Sequence, residues 1–153
     1  MEQYPNFFIV GAARCGTTSL YHYLNESSDV FMSKIKEPHF FASNFCKLIN
    51  LYSMTNKEEY LKLFENVTTE QAVGEASVHY FQAIETAGDI SRVLPHAKII
   101  IMLRDPVERF FSHYLLLVKF GTIVQDFDKI LTKYLNESVS KDSNYYSLVD
   151  GRF

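Results

Sequence analysis

The stretch Phe7-Phe8-Ile9-Val10-Gly11-Ala12-Ala13-Arg14-Cys15-Gly16-Thr17-Thr18-Ser19-Leu20 decides the fold. Four large apolar residues in a row, without polar alternation, read as a strand buried on both faces of a parallel sheet. Thr17 to Asn25 then carries Leu20, Tyr23 and Leu24 on one helical face. The small and polar residues between them form a tight connection. Its backbone N–H groups and the positive end of the helix dipole favour an anion. Gly11 and Gly16 permit close approach, Thr17, Thr18 and Ser19 offer hydroxyls at the helix start, and Arg14 adds a planar cationic fork suited to phosphate.

Working outward, the same alternation of strand and helix recurs. Val30 to Met32 reads as a short strand, followed by an irregular aromatic stretch from Lys36 to Tyr52. Asn56 and Glu59 have capping-box spacing ahead of the stripe Tyr60, Leu61, Phe64. Ala72 to Ala76 reads as a strand with Glu75 near its C-terminal end, and Ile84 to Leu94 as a helix ending before Pro95. Lys98 to Leu103 is the clearest strand. Asp105 then caps a helix with Pro106 at its first position, whose apolar stripe runs from Val107 through Phe110, Phe111, Tyr114 and Leu115 to Val118. A last helix covers Phe127 to Leu135. Strands alternating with helices imply an α/β fold, a mostly parallel central sheet flanked by helices in three layers. With no linker or repeat, residues 1–153 read as a single domain.

Composition narrows the function. The chain has 153 residues, 47% of them hydrophobic, with 10 Tyr and 13 Phe, which excludes disorder. Its net charge of −3 gives no reason to expect nucleic acid as a partner. The longest apolar runs, Phe7–Ala13 and Ile99–Leu103, fall far short of the roughly 20 residues of a membrane span. Cys15 and Cys46 make neither a disulfide framework nor a zinc site. Sparse cysteine and the lack of a leader-like segment lead to the expectation of a reduced, cytoplasmic setting.

The glycine spacing in the first loop equals that of a Walker A loop, yet Thr17 stands where that motif requires the lysine that reaches the β and γ phosphates. An ATP-dependent phosphotransferase, with Asp105 as a metal-binding acid, is therefore the weaker reading. The run Gly11-Ala12-Ala13-Arg14-Cys15-Gly16-Thr17-Thr18-Ser19-Leu20 resembles instead the 5′-phosphosulfate loop of the sulfotransferases. These use 3′-phosphoadenosine 5′-phosphosulfate (PAPS) as donor and release 3′-phosphoadenosine 5′-phosphate (PAP). Most members carry Lys where Arg14 stands. The resemblance implies a P-loop-like fold and donor contacts from Arg14, Cys15, Gly16, Thr17, Thr18 and Ser19.

A second segment, Ile99-Ile100-Ile101-Met102-Leu103-Arg104-Asp105-Pro106, continues to Arg109 and Ser112. From spacing alone, Arg104 at the tip of a strand serves equally well as a phosphate ligand or as a surface partner of Asp105 or Glu108. The pattern is similar to the 3′-phosphate-binding segment of sulfotransferases, which implies that Arg104 and Ser112 hold the 3′-phosphate.

Sulfuryl transfer needs an in-line acceptor, a base for its proton, and positive charge on the leaving phosphate. Arg14 and the loop amides can supply the charge. Three side chains compete as base. Glu75, at the end of a strand on the ligand-binding rim, lies in Gly74-Glu75-Ala76-Ser77-Val78-His79-Tyr80-Phe81, which resembles the Glu-Lys-(Ser/Thr)-x-x-Tyr-Phe stretch of carbohydrate sulfotransferases, with Ala76 where Lys is frequent. Glu37 and His39 lie in Lys36-Glu37-Pro38-His39-Phe40-Phe41, which looks like the Lys-Glu-x-x-Phe-Phe segment that lines the acceptor cleft in bacterial and glycan-modifying relatives. The remaining histidines read as surface or packing residues, and core packing accounts for most of the aromatics.

The resemblance thus implies direct in-line transfer, without a metal, from PAPS to a hydroxyl or amine. A carbohydrate is one compatible acceptor and a small molecule another; the sequence carries no signal for oligomeric state. Sulfotransferase domains usually run to about 250 residues, and Asp150-Gly151-Arg152-Phe153 resembles the start of a further helix of the family, so the domain reads as incomplete at its C-terminus. A non-catalytic or truncated module that binds PAPS or PAP is the alternative.

Overall fold

The computed structural model describes residues 2–124 and 126–138. The segment Asp150–Phe153 lies outside the described residues. The chain divides into two compact units, one through Leu103 and one from Arg104 onward.

The first unit is built on strands β1 (Phe7–Gly11), β2 (Val30–Met32), β3 (Ala72–Ala76) and β4 (Lys98–Ile101), ordered β2-β3-β1-β4. All neighbours are parallel, with Phe8 opposite Glu75 on one side and Ile99 on the other. Every residue of β1 is buried, as its unbroken apolar run requires at the centre of a parallel sheet. Among the described residues β2 and β4 are the two edge strands, and β4 ends at Ile101, two residues before the expected Leu103.

Helix α1 (Thr17–Asn25) packs Tyr21 with Phe7, Ile9, Met32 and Ala76 on one face of the sheet. The opposite face meets α2 (Ser43–Leu48), α3 (Lys57–Lys62) and α4 (Thr86–Val93), where Phe8, Val10 and Val73 join Phe41, Tyr60, Phe64, Tyr80 and Ile90. The result is the expected three-layer α/β arrangement. Asn56 caps α3 by accepting from the Glu59 N–H at 2.9 Å, as its spacing predicts. Asn6 ties the N-terminal ends of the strands together. Its amide donates to the Gln71 carbonyl at 2.7 Å and accepts from the Val73 N–H at 2.9 Å, while its carbonyl accepts from the Lys98 N–H at 2.9 Å.

The stretch from Lys36 to Tyr52 is more ordered than its sequence suggests. It holds a 3-10 turn at Phe40–Ala42 and then α2, because Phe41 and Phe45, and Ala42 and Cys46, sit four apart and bury together. A second 3-10 turn, Val78–Phe81, follows β3.

The second unit contains α5 (Pro106–Lys119) and α6 (Phe127–Ser138). Asp105 caps α5 by accepting from the N–H groups of Val107 at 2.9 Å and Glu108 at 3.1 Å, with Pro106 at the first helical position. Phe127 packs against Phe110, Phe111 and Tyr114, with ring centroids 5.1–5.6 Å apart. Among the described residues no helix is long and apolar enough to cross a membrane.

Candidate active site

The chain leaves β1 toward β2 and β3 on one side, and β4 lies on the other. The C-terminal end of β1 is therefore a topological switch point, where open α/β sheets bind ligands. The loop from Gly11 to Gly16 stands there. Its ends are fixed by main-chain bonds to β4's continuation: the Met102 N–H donates to the Gly11 carbonyl and the Ala12 N–H to the Met102 carbonyl, both at 2.8 Å. A turn then closes through the Cys15 N–H and the Ala12 carbonyl at 3.2 Å.

Gly11 has no room for a side chain. A Cβ there would lie 2.8 Å from Phe81 Cβ and 3.0 Å from the Val78 carbonyl oxygen. Gly16 takes φ 87°, a left-handed conformation favouring glycine, and starts α1 without a side-chain cap. The Leu20 N–H donates to the Gly16 carbonyl at 3.1 Å and opens the helix. Helix geometry thus leaves the amides of Thr17, Thr18 and Ser19 without intrahelical acceptors, and no acidic side chain occupies the first turn. Arg14, Gly16, Thr18 and Ser19 are exposed, whereas Cys15 and Thr17 are buried. The residue standing in the Walker lysine's place is therefore a buried threonine.

The three candidate bases converge beside β3. The segment Lys36–His39 runs along the end of that strand: the Glu37 N–H donates to the Ala76 carbonyl at 2.8 Å, and the His39 N–H to Ser77 Oγ at 3.1 Å. Glu37 and His39 both adopt left-handed backbone, with φ 62° and 53°, a conformation uncommon outside glycine that clusters at functional sites. Glu37 is partly exposed and pairs through Oε1 with Lys36, while its Oε2 lies 3.7 Å from His39 Nε2. His39 is buried. Tyr52's backbone lies near its ring, but neither ring nitrogen has a hydrogen-bond partner of acceptable geometry. Burial, reinforced by neighbouring His79, pushes the imidazole down to about 4.

Glu75 is fully enclosed rather than placed on an open rim. Its Oε2 accepts from the hydroxyls of Tyr60 at 2.8 Å and Tyr80 at 2.9 Å, and Tyr80 in turn accepts from the Phe41 N–H at 3.2 Å. Oε1 is buried with no partner. Burial raises the carboxyl to about 7, against the opposing pull of Ser77, Tyr60 and Tyr80. The same burial, with Glu75 beside them, drives both phenols well above their ordinary range.

Two participants escaped the sequence reading. Tyr60 reads there as a plain apolar stripe residue, yet its hydroxyl serves Glu75. His79 reads as surface or packing, yet its ring centroid lies 5.1 Å from that of His39. Its position in the same short segment as Glu75, four residues on, was the available signal.

In the second unit, Arg104 Nε donates to Glu108 Oε2 at 3.0 Å, one helical turn away. The surface pairing with Glu108 that its spacing allows is thus formed. Ser112 lies within α5 and is partly buried.

The comparisons define the class. The model of the family described as "Sulfotransferase domain" matches residues 4–150, and the chain belongs to that family. A crystal structure of a sulfotransferase from Alicyclobacillus acidocaldarius superposes with a TM-score of 0.80 at 39% identity, covering 98% of this chain and 63% of that one. Mouse carbohydrate sulfotransferase 15 is 31% identical over 170 residues, covering 86% of this chain and 30% of that protein. Human bifunctional heparan sulfate N-deacetylase/N-sulfotransferase 3 is 29% identical over 119 residues, covering 74% of this chain and 13% of that protein. The chain thus spans less than a third of the length of these curated relatives.

Proposed function

We propose that this domain transfers a sulfuryl group from PAPS to a hydroxyl or amine on a glycan or small-molecule acceptor. The observation that carries this reading is the loop at the end of β1, where open helix amides and Arg14 accompany a buried Thr17 in the lysine position. Such a site suits the single phosphate at a leaving bridge and lacks the lysine for a triphosphate.

In this mechanism the amides of Thr17, Thr18 and Ser19 and the Arg14 guanidinium hold the 5′-phosphate. The acceptor oxygen or nitrogen attacks sulfur in line with the bond to that phosphate. As the new bond forms, the sulfur–oxygen bond to phosphate breaks, and the electron pair leaves on the phosphate oxygen facing Arg14. The acceptor proton passes to the Glu37–His39 pair, whose carboxylate is the most open of the three bases. His39, lowered to about 4, is neutral at pH 7 but a weak base, so the Glu37 carboxylate takes the proton with the imidazole beside it. Glu75 holds Tyr80, and through it the Phe41 amide, in place inside the core. Arg104 and Ser112 are assigned to the 3′-phosphate on their sequence pattern, with Arg104 exchanging Glu108 for the nucleotide.

The test is calorimetric titration with PAP, AMP and ATP, followed by transfer of labelled sulfate from PAPS to glycosaminoglycan and small-alcohol acceptors. PAP binding well above AMP, with transfer to one acceptor class, is the expected result. Preference for ATP over PAP would overturn the donor assignment, and PAP binding without any transfer would favour a non-catalytic module.

A further inference from the structure

We infer that Glu37, His39 and His79 form a binding site for a divalent transition-metal ion of the zinc class. One ligand atom from each of the three lies within 4.8 Å of the others. The second, independent observation is His39. Its side chain is only 3% exposed, and neither ring nitrogen has a hydrogen-bond partner. A buried, unpartnered imidazole is unfavourable unless something else occupies its lone pair.

The neighbours present the right atoms. Lys36 engages Glu37 Oε1, which leaves Oε2 as a single carboxylate ligand, 3.7 Å from His39 Nε2. His79 Nδ1 lies 2.9 Å from Gln82 Oε1. An amide oxygen only accepts, so Nδ1 carries the proton and Nε2 keeps a free lone pair. An outer hydrogen bond of this kind fixes the tautomer and orientation of metal-ligating histidines. Two imidazoles and one carboxylate suit zinc and its neighbours rather than magnesium or calcium, which prefer all-oxygen sites. Ligand atoms around tetrahedral zinc lie about 3.3 Å apart, so the trio needs only to draw in around the ion. Glu37 and His79 are half-buried, leaving the fourth position open to water or a small ligand.

Binding of the ion does not depend on the donor assignment. On the sulfotransferase reading, an ion held here excludes proton transfer to Glu37 and His39, so zinc lowers transfer while PAP binding is unchanged.

The experiment titrates the metal-stripped chain with Zn2+ by calorimetry and with Co2+ by visible absorption. A single equivalent is expected, with the ligand-field bands of tetrahedral Co2+. His79→Ala should abolish the bands, and Gln82→Ala should weaken Zn2+ binding by about tenfold or more. Because His39 is buried, His39→Asn is read only after circular dichroism shows a native fold; the half-exposed His79 carries the test otherwise. No binding at millimolar Zn2+, or binding that His79→Ala leaves unchanged, overturns the site. PAP titration in parallel reports the donor site separately, so failure of one reading is distinguishable from failure of the other.

Discussion

The Tyr60 hydroxyl donates to Glu75 Oε2 at 2.8 Å across 15 residues of sequence, joining α3 to the end of β3 inside the core. A carboxyl held there with a second tyrosine and no contact to solvent is easier to keep protonated than charged.

Glu75 therefore gives stability an alkaline dependence. Its folded value, about 7, lies above the ordinary 4.5, so the native state holds an extra proton between those values. Stability is lost as pH rises through that window, by an amount of order 3 kcal/mol. Glu75→Gln should remove this loss and leave the variant more stable than the parent at pH 8 in urea unfolding. A variant less stable than the parent at pH 8 would contradict the assignment.

His39 works in the opposite direction. Its folded value of about 4 lies below the ordinary 6.5, so the unfolded chain binds the extra proton and stability falls as pH drops from 6.5 toward 4. With chelator present, the two slopes offset each other in the parent between about pH 4.5 and 6.5. Glu75→Gln should expose the acid loss, and His39→Asn the alkaline one. Identical pH profiles for the two variants would show that neither group is perturbed as described.

Gly11→Ala tests the loop. The new Cβ meets Phe81 and the Val78 carbonyl at 3.0 Å or less, with φ at 150°. A loss of about 1–3 kcal/mol is expected from strain alone. PAP affinity should fall with it, and an unchanged affinity would remove the loop from the donor site.

Arg104→Ala separates the two roles of that arginine. Its ion pair with Glu108 is exposed, so unfolding free energy should move by no more than about 1 kcal/mol. Selectivity for PAP over AMP should disappear. If selectivity survives, the 3′-phosphate is held elsewhere.

The sheet was legible because β1 and, after Lys98, β4 are short apolar runs with no competing period, and the observed bounds of α1, β2 and β3 coincide with those expected. The Asn56 and Asp105 caps were legible for the same local reason. What sequence could not convey was depth. Glu75 reads as a rim residue because strand ends are usually open, and only the fold brings Tyr60 and Tyr80 over it. Tyr60 sits at helical spacing with Leu61 and Phe64, and nothing local distinguishes a hydroxyl that must find a buried partner from one that faces water. His79 joins His39 only through tertiary packing, across 40 residues.

The placement of β1 also sets the order in which the fold can assemble. The most apolar strand precedes both of its hydrogen-bonded neighbours in the chain, which begin at Ala72 and Lys98. Until Ala72–Ala76 exists, Phe7 to Val10 has no strand beside it and Asn6 has no Gln71 to bond; until Lys98 follows, one side of the strand stays unpaired. Non-local parallel pairing of this kind is slow and leaves apolar backbone open to other chains in the meantime. On the ribosome, the strand that leads into the glycine loop is thus the one that waits longest for its neighbours.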